Sequence, residues 1–358
     1  MDLRLALGRS LDAARKAQRI HALHRKIAGI ARHRREFPHH LDWDAGKARA
    51  ARRFLQAHGM RYSGTRWHEC YFGATGRFAP HYVPEDYFYL ELLPRLNPLR
   101  YIRKYGDKNF YASLGFPNLP ITLGGMVNGR PVDAGARALP LERLLAGAAA
   151  LPEVVAKPSL GLESGGGAMV TMCPPAELPE RLGRFAAAGV RDIVIQAPVA
   201  QHPALAELNP TSVNTVRVMT LRLEGEVEPI SSVLRIGRRA SRVDNGGIAC
   251  GIAADGTLKR HAYRIKTFER FEAHPDHGLP FLGKRVPGYA RVLDFCRDAH
   301  ARRIPDVDLV SWDIAIDPSE QPVLIEFNLG DQEINFHQLA NGPLFGEHTE
   351  RVLALARD

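Results

Sequence analysis

The stretch Ser311-Trp312-Asp313-Ile314-Ala315-Ile316-Asp317-Pro318-Ser319-Glu320-Gln321-Pro322-Val323-Leu324-Ile325-Glu326-Phe327-Asn328-Leu329-Gly330 holds two apolar-rich runs around an Asp-Pro-Ser-Glu-Gln-Pro turn signal. That pattern predicts a β-hairpin. Side chains alternate along a strand, so Glu326 and Asn328 share one face while Ile325 and Phe327 share the other. Centring the turn between Ser319 and Glu320 sets Asp313 opposite Glu326, with Cβ atoms roughly 4.5–5.5 Å apart. Two carboxylates that close repel unless a cation or a proton stands between them. Mg2+ is such a cation, because it takes oxygen ligands and couples carboxylates to nucleotide phosphates. Asn328 adds a neutral oxygen on the same face, and Trp312 and Phe327 would anchor the opposite face in a core. Spacing alone leaves the alternative open, a solvated hairpin with ordinary surface acids.

Upstream of this hairpin, strand-like runs are expected at Val216–Leu223, Glu228–Ile236 and Gly247–Ile252, with a helix over 288–303. Val154-Val155-Ala156-Lys157 reads as a strand stopped by Pro158. A polar glycine loop, a returning strand at Met169–Met172, a helix over 176–188 and the strand Ile193-Val194-Ile195 follow it. Helical periodicity also covers 3–32 and 45–58, the second ending at Gly59. A broken helix is expected over 81–104, strands around Pro120–Val127, and a short helix over 138–149. The fold class is therefore α+β. The expected divisions are a basic helical extension at 1–60, a mixed α/β region at 61–149, a glycine-loop unit at 150–200 and a C-terminal unit at 201–358.

Of the 358 residues, 45% are hydrophobic and 24% charged, which excludes a wholly disordered chain. No apolar run approaches the length of a membrane span. The first residues lack an uninterrupted apolar core with a small-residue cleavage site, so no secretory signal is expected. Cys70, Cys173, Cys250 and Cys296 are scattered, with no C-x-x-C pair, and read as buried thiols of a reduced, cytoplasmic protein. Residues 1–60 carry fourteen Lys or Arg against five Asp or Glu, the whole of the formal +9. That excess either contacts an anionic substrate or surface, or is a solvated helical face. It is expected to belong to an appendage rather than to the catalytic body.

Lys157, at the end of its strand, can reach nucleotide phosphates as a point charge. Gly165-Gly166-Gly167 permits close backbone approach to phosphate oxygens. No Gly-Lys-Ser/Thr follows, so this is not a Walker A loop, and it is no G-x-G-x-x-G fingerprint either. The competing readings are a surface lysine and a flexible hairpin tip. Gln196-Ala197-Pro198-Val199 offers an extended crossover that either cradles adenine or merely joins two units. Arg217 is either a phosphate clamp or a structural salt bridge. Lys108 is a weaker phosphate candidate, and Arg235 and Asp244-Asn245-Gly246-Gly247 are candidates for shaping the cleft.

The order lysine strand, glycine loop, interdomain strand, Asn/Arg strand and acidic hairpin resembles the ATP-grasp superfamily, especially its sugar-transfer-associated branch. The similar stretches are YGDKNF (105–110), VVAKPSLGLESGGG (154–167), VIQAPVAQHPALAELNPTSVNTVRV (194–218), DNGGIACGI (244–252), HPDHG (274–278) and SWDIAIDPSEQPVLIEFNLGDQEINFHQ (311–338). The resemblance implies a small glycine-loop lid and a larger C-terminal nucleotide- and metal-binding domain behind an N-terminal helical extension. It implies Lys108 and Lys157 on nucleotide phosphates, Gly165, Gly166 and Gly167 above them, and Gln196, Ala197, Pro198 and Val199 at adenine. It also implies Arg217 at the transferred phosphoryl group and Asp313, Glu326 and Asn328 on one or two Mg2+ ions. Gln196 stands where many members have an acid. The activity implied is an ADP-forming ligase that uses ATP and Mg2+ to join a carboxylate to an amine or another nucleophile. The alternatives are an ATP-dependent small-molecule kinase and a noncatalytic protein that binds nucleic acid or membrane through its basic helices. No H-E-x-x-H motif supports a zinc hydrolase.

Overall fold

The hairpin forms, with a fault in it that matters. In the computed structural model, strands at Leu309–Ile316 and Pro322–Asn328 pair antiparallel, with Asp313 opposite Glu326 and Ser311 opposite Asn328. Nearer the turn the register changes, and Ile314 faces Leu324. Ile325 is therefore an extra residue on the second strand, a β-bulge. The turn centres on Ser319, not between Ser319 and Glu320, and the bulge restores the expected pairing at Asp313. Burial shows the same break, since Ile325 and Glu326 are both half-buried where strict alternation would bury one.

The structure describes residues 3–60, 63–160, 169–239, 241 and 247–355. The helices are α1 Leu3–Ala31, α2 Ala45–Ala57, α3 Arg66–Thr75, α4 Glu85–Tyr87, α5 Leu93–Leu96, α6 Leu99–Tyr105, α7 Leu141–Ala148, α8 Leu178–Ala187, α9 Pro203–Ala206, α10 Tyr289–Arg303, α11 Ile334–Asn341 and α12 Thr349–Leu355, with a π-helical turn at Phe88–Leu92. Strands β1 Thr122–Val127, β2 Arg130–Asp133, β3 Val154–Pro158, β4 Thr171–Cys173 and β5 Ile193–Gln196 make one sheet, in the order β2-β1-β5-β3-β4. Strands β6 Thr215–Leu223, β7 Glu226–Ile236, β8 Ile248–Ile252, β9 Leu258–Tyr263, β10 Arg270–Phe271, β11 Leu309–Ile316 and β12 Pro322–Asn328 make the other, in the order β10-β9-β8-β7-β6-β11-β12. The architecture is α+β, with helices α1–α3 ahead of two sheets.

Several expected boundaries need correction. β1 and β2 hydrogen-bond into the same sheet as β3–β5, so the division set at 149/150 cuts through one sheet. Strands β9 and β10 and helix α11 were not expected. The basic N-terminal helix is also no separate appendage. Ile27 and Ile30 of α1 are buried in a cluster with Trp67, Tyr71, Phe268 and Leu339.

Local chemistry explains the helix ends that survive. Asp44 caps α2 by accepting from the Lys47 N–H at 2.8 Å. α3 stops at Gly76, whose φ of +73° suits the left-handed turn by which its N–H reaches the Phe72 carbonyl. β11 is buried along its whole length, as a strand covered on both faces should be. Trp312 and Phe327 are buried, their rings 5.4 Å apart, and Tyr111 stacks on Phe327 at 4.7 Å. Burying each ring contributes about 2–3 kcal/mol and holds the opposite, acidic face in place. All four cysteines are free and buried. Among the described residues, no helix is long and apolar enough to cross a membrane.

Candidate functional site

Three neighbouring strands of the larger sheet place charges in one row. Asp313 on β11 faces Arg217 on β6 and Glu326 on β12. Arg217 donates from Nε to Asp313 Oδ1 at 2.8 Å and from Nη2 to Oδ2 at 2.6 Å, a bidentate pair. Its remaining nitrogen, Nη1, donates to Glu333. Arg235 on β7 approaches Asp313 Oδ2 at 3.4 Å and Glu333 at 3.9 Å. The Asn328 amide nitrogen lies 3.4 Å from Asp313 Oδ2, leaving its carbonyl oxygen as an acceptor. Burial opposes charge on Arg217, but Asp313 and Glu333 outweigh it and hold the group well above its ordinary value.

The second half of the site comes from the smaller sheet and the segment that leads into it. Lys108, buried, places Nζ 3.1 Å from Glu326 Oε2 and 3.4 Å from the Ser159 carbonyl, and its backbone N–H donates to that same carbonyl. Lys157 pairs with Val194 across β3 and β5 and forms no ion pair among the described residues. Burial, reinforced by the charge of Lys108, pushes Lys157 down to about 8, against the pull of Glu326 and Asp313. Burial would raise Glu326, yet Lys108, Lys157 and Arg217 outweigh it and hold that carboxyl far below its usual range. Lys108, Lys157, Arg217, Asp313, Glu326 and Asn328 thus share one electrostatic neighbourhood. A buried Ser159 hydroxyl beside the lysines has no hydrogen-bond partner among the described residues.

Other expectations meet mixed outcomes. Gly165, Gly166 and Gly167 lie outside the described residues, as do Asp244, Asn245 and Gly246. Gln196 ends β5 between Thr122 and Val155, and its Nε2 donates to Thr122 Oγ1 at 3.0 Å. The Ala197 N–H donates to the Ile121 carbonyl at 2.8 Å, and Pro198 is exposed. Residues 197–202 carry the chain from the smaller sheet to the larger one, where the His202 N–H meets the Ile316 carbonyl. Asn214 is buried and spends its amide on Gln201, Leu205 and Asn209, so it knots a loop.

Glu333 escaped the sequence reading. It holds φ +49° and ψ +50°, a left-handed conformation costly for a side-chain-bearing residue. Its N–H donates to the Tyr89 hydroxyl at 3.0 Å while its carboxylate meets Arg217 and Arg235. The run Asp331-Gln332-Glu333 straight after the hairpin was the available signal, but its backbone turn is invisible in sequence. Next to it, Lys26 of α1 donates to the buried Glu85 at 2.8 Å, and its charge helps hold Glu333 ionised after Arg217 and Arg235 overcome burial.

The donors are all hard oxygens, which suits Mg2+. Among the described residues, no group of three or more His, Cys, Asp or Glu stands ready for a metal. Mg2+ needs only one or two protein carboxylates when phosphate oxygens and water complete its shell. Asp313 has about four lone-pair directions; the Arg217 fork takes two, and Arg235 and the Asn328 amide donate to Oδ2 over a longer 3.4 Å. Glu326 and the Asn328 carbonyl are compatible with such an ion, and Asp313 joins them where its two longer contacts, to Arg235 and Asn328, give way.

Residues 181–353 match the family described as sugar-transfer associated ATP-grasp. No curated protein matches the chain. Among solved structures, the chain is similar to the ATP-grasp ligase PsnB complexed with minimal precursor (TM-score 0.41, 15% identity, 73% of this chain and 64% of that one). It is similar to the D-cycloserine synthetase DcsG (TM-score 0.40, 14% identity, 72% and 73%) and to a biotin carboxylase complex from Campylobacter jejuni (0.46, 12%, 73% and 48%). The chain thus spans less than two thirds of the PsnB ligase. At TM-scores below 0.5 these likenesses add no weight to the site.

Proposed function

We propose, from the match of residues 181–353 to the sugar-transfer associated ATP-grasp family, that the protein is an ATP- and Mg2+-dependent ligase. It joins a carboxylate to an amine, or to a related nucleophile, through an acyl phosphate, and it releases ADP and phosphate. The observation that carries this reading is the contact between Lys108 and Glu326, 3.1 Å, with Lys157 alongside. It brings Lys108, from outside the matched segment, onto the acidic hairpin inside it, with Lys157 near enough to feel the charge of Glu326 and Asp313.

Phosphoryl transfer asks for positioning and charge neutralisation more than for a protein nucleophile. In this reading Lys108 and Lys157 hold the phosphate tail of ATP by charge. Arg217 is oriented by its fork on Asp313 and stabilises the negative charge that grows on the transferred group. Asp313, Glu326 and Asn328 would hold Mg2+, which when bound neutralises phosphate oxygens. Gln196 to Val199 would border adenine, and Gly165 to Gly167 would cover the phosphates and limit hydrolysis.

The test is product analysis with candidate acids and amines. ADP release that requires Mg2+ and both substrates is expected, together with a new amide or ester product. Formation of AMP and pyrophosphate would refute the mechanism.

A further inference from the structure

The segment 83–97 precedes the matched residues, yet it is clasped at three points to the hairpin and the chain that follows it. The Val83 N–H donates to the Gln338 side-chain carbonyl, and the Gln338 amide donates back to the Val83 carbonyl, each at 2.9 Å. At the far end, the buried Asn97 amide donates to the Leu309 carbonyl at 2.6 Å and to the Leu329 carbonyl at 2.8 Å. Between them stands Tyr89. Its hydroxyl accepts the Glu333 N–H at 3.0 Å and donates to Asp331 Oδ1 at 3.3 Å. Burial, with the charges of Glu85 and Asp331, holds this phenol well above its ordinary value, so it keeps the proton it donates.

Tyr89 lies in the π-helical turn Phe88–Leu92, between α4 and α5. Such a turn adds one residue to the winding and rotates the side chains before it by about 100° relative to those after it. Phe88, Tyr89, Leu92, Leu93 and Leu96 are buried in one cluster with Ile334, the residue after Glu333. Packing therefore sets the place of the Tyr89 ring and of the hydroxyl it carries. Glu333 needs such a hold. Its left-handed backbone, φ +49° and ψ +50°, is disfavoured for a residue with a side chain and persists where its surroundings enforce it. In that conformation its carboxylate reaches Arg217 Nη1. A guanidinium has five N–H donors. The fork on Asp313 uses two and Glu333 a third, which leaves two among the described residues for a ligand.

We propose that Tyr89 is a positioning residue for phosphoryl transfer. It holds Glu333 in its left-handed turn, and Glu333 in turn fixes the edge of Arg217 that Asp313 does not grip. The role of Arg217 at the transferred group rests on the ligase reading, whereas the clamp itself does not. A segment outside the family match thereby takes part in aiming an arginine inside it.

The test compares Tyr89→Phe, Glu333→Gln and the double variant in the full chain. Tyr89→Phe keeps the packed ring and removes only the hydroxyl. In ¹⁵N-labelled protein, the Arg217 Nε–H resonance is identified by its loss in Arg217→Lys. It is expected to move in each single variant, and to move no further in the double variant than in Glu333→Gln alone. Calorimetry supplies the second readout, with MgADP plus aluminium fluoride as the mimic of a phosphoryl group in transfer. Tyr89→Phe should weaken that complex by about tenfold, the loss of one charged contact, while MgADP alone binds within about twofold of the unaltered chain. The double variant should lose no more than Glu333→Gln. An unmoved Arg217 resonance in Tyr89→Phe, losses that multiply in the double variant, or an equal loss of MgADP binding would overturn the proposal. If the unaltered chain does not bind aluminium fluoride with MgADP, the ligase reading fails, and the resonance alone decides the clamp.

Discussion

The two sheets furnish the candidate site in opposite ways. The larger sheet supplies charges that already answer one another. Arg217, Asp313 and Glu326 stand side by side on adjacent strands, and Arg217 grips two acids. The smaller sheet and the segment before it supply lysines that pair with no acid of that sheet among the described residues. Lys108 finds its carboxylate only on the other sheet, and Lys157 has no ion pair among the described residues. The contrast separates two uses of charge. On the larger sheet it holds a buried polar row together, whereas on the smaller sheet Lys157 is left without an ion pair among the described residues.

The largest expected effect tests the first half of that contrast. Arg217→Met leaves Asp313 and Glu333 with only the longer contacts of Arg235, and a loss of about 3–5 kcal/mol in urea unfolding is expected. If stability is unchanged, the row is not a structural unit. Lys157→Met addresses the other half. Its fold should persist by circular dichroism while ADP release falls by about 10²–10³-fold. Unfolding of this variant instead would erase the difference between the sheets.

The pH dependence sharpens the same point. A lysine is charged below its pKa, and burial sets Lys157 at about 8. Affinity for ATP should therefore hold below pH 8 and fall as pH rises through it, by up to about tenfold per unit. Lys157→Arg, which keeps its charge, should flatten the profile measured by calorimetry. Glu326→Gln removes a charged oxygen, and the Mg2+ concentration for half-maximal activity should rise about tenfold, given roughly 1.5–3 kcal/mol for a charged contact. The smallest effect belongs to Gln196→Ala. Losing the bond to Thr122 should cost about 1 kcal/mol of stability, and a much larger drop in ATP affinity would show that Gln196 touches the nucleotide.

Much of the larger sheet was legible because its strands carry long β-branched and aromatic runs between clear turn signals. β6, β7 and β8 fall within two residues of their expected limits, and β11 and β12 flank the expected turn. β9, Leu258–Tyr263, was missed because Lys259, Arg260 and His261 interrupt its apolar pattern, and β10 spans only Arg270–Phe271. α11 was missed because its buried face includes Asn335, His337 and Gln338, polar residues that periodicity assigns to a surface. The pairing of Asp313 with Glu326 came out as expected, although the turn was misplaced by half a residue and a bulge at Ile325 compensated.

Sequence by itself determined the residue types, their order along the chain and the face each takes on its strand, since strand alternation and turn chemistry are local. It also fixed the concentration of positive charge in residues 1–60. Only the tertiary structure decided that Lys108 meets Glu326 across 218 positions of chain, that Glu333 turns back to Arg217, and that α1 packs into the body through Ile27 and Ile30. Such contacts depend on how sheets and helices pack, and a side chain's partner across a packed interface leaves no periodic trace in the sequence.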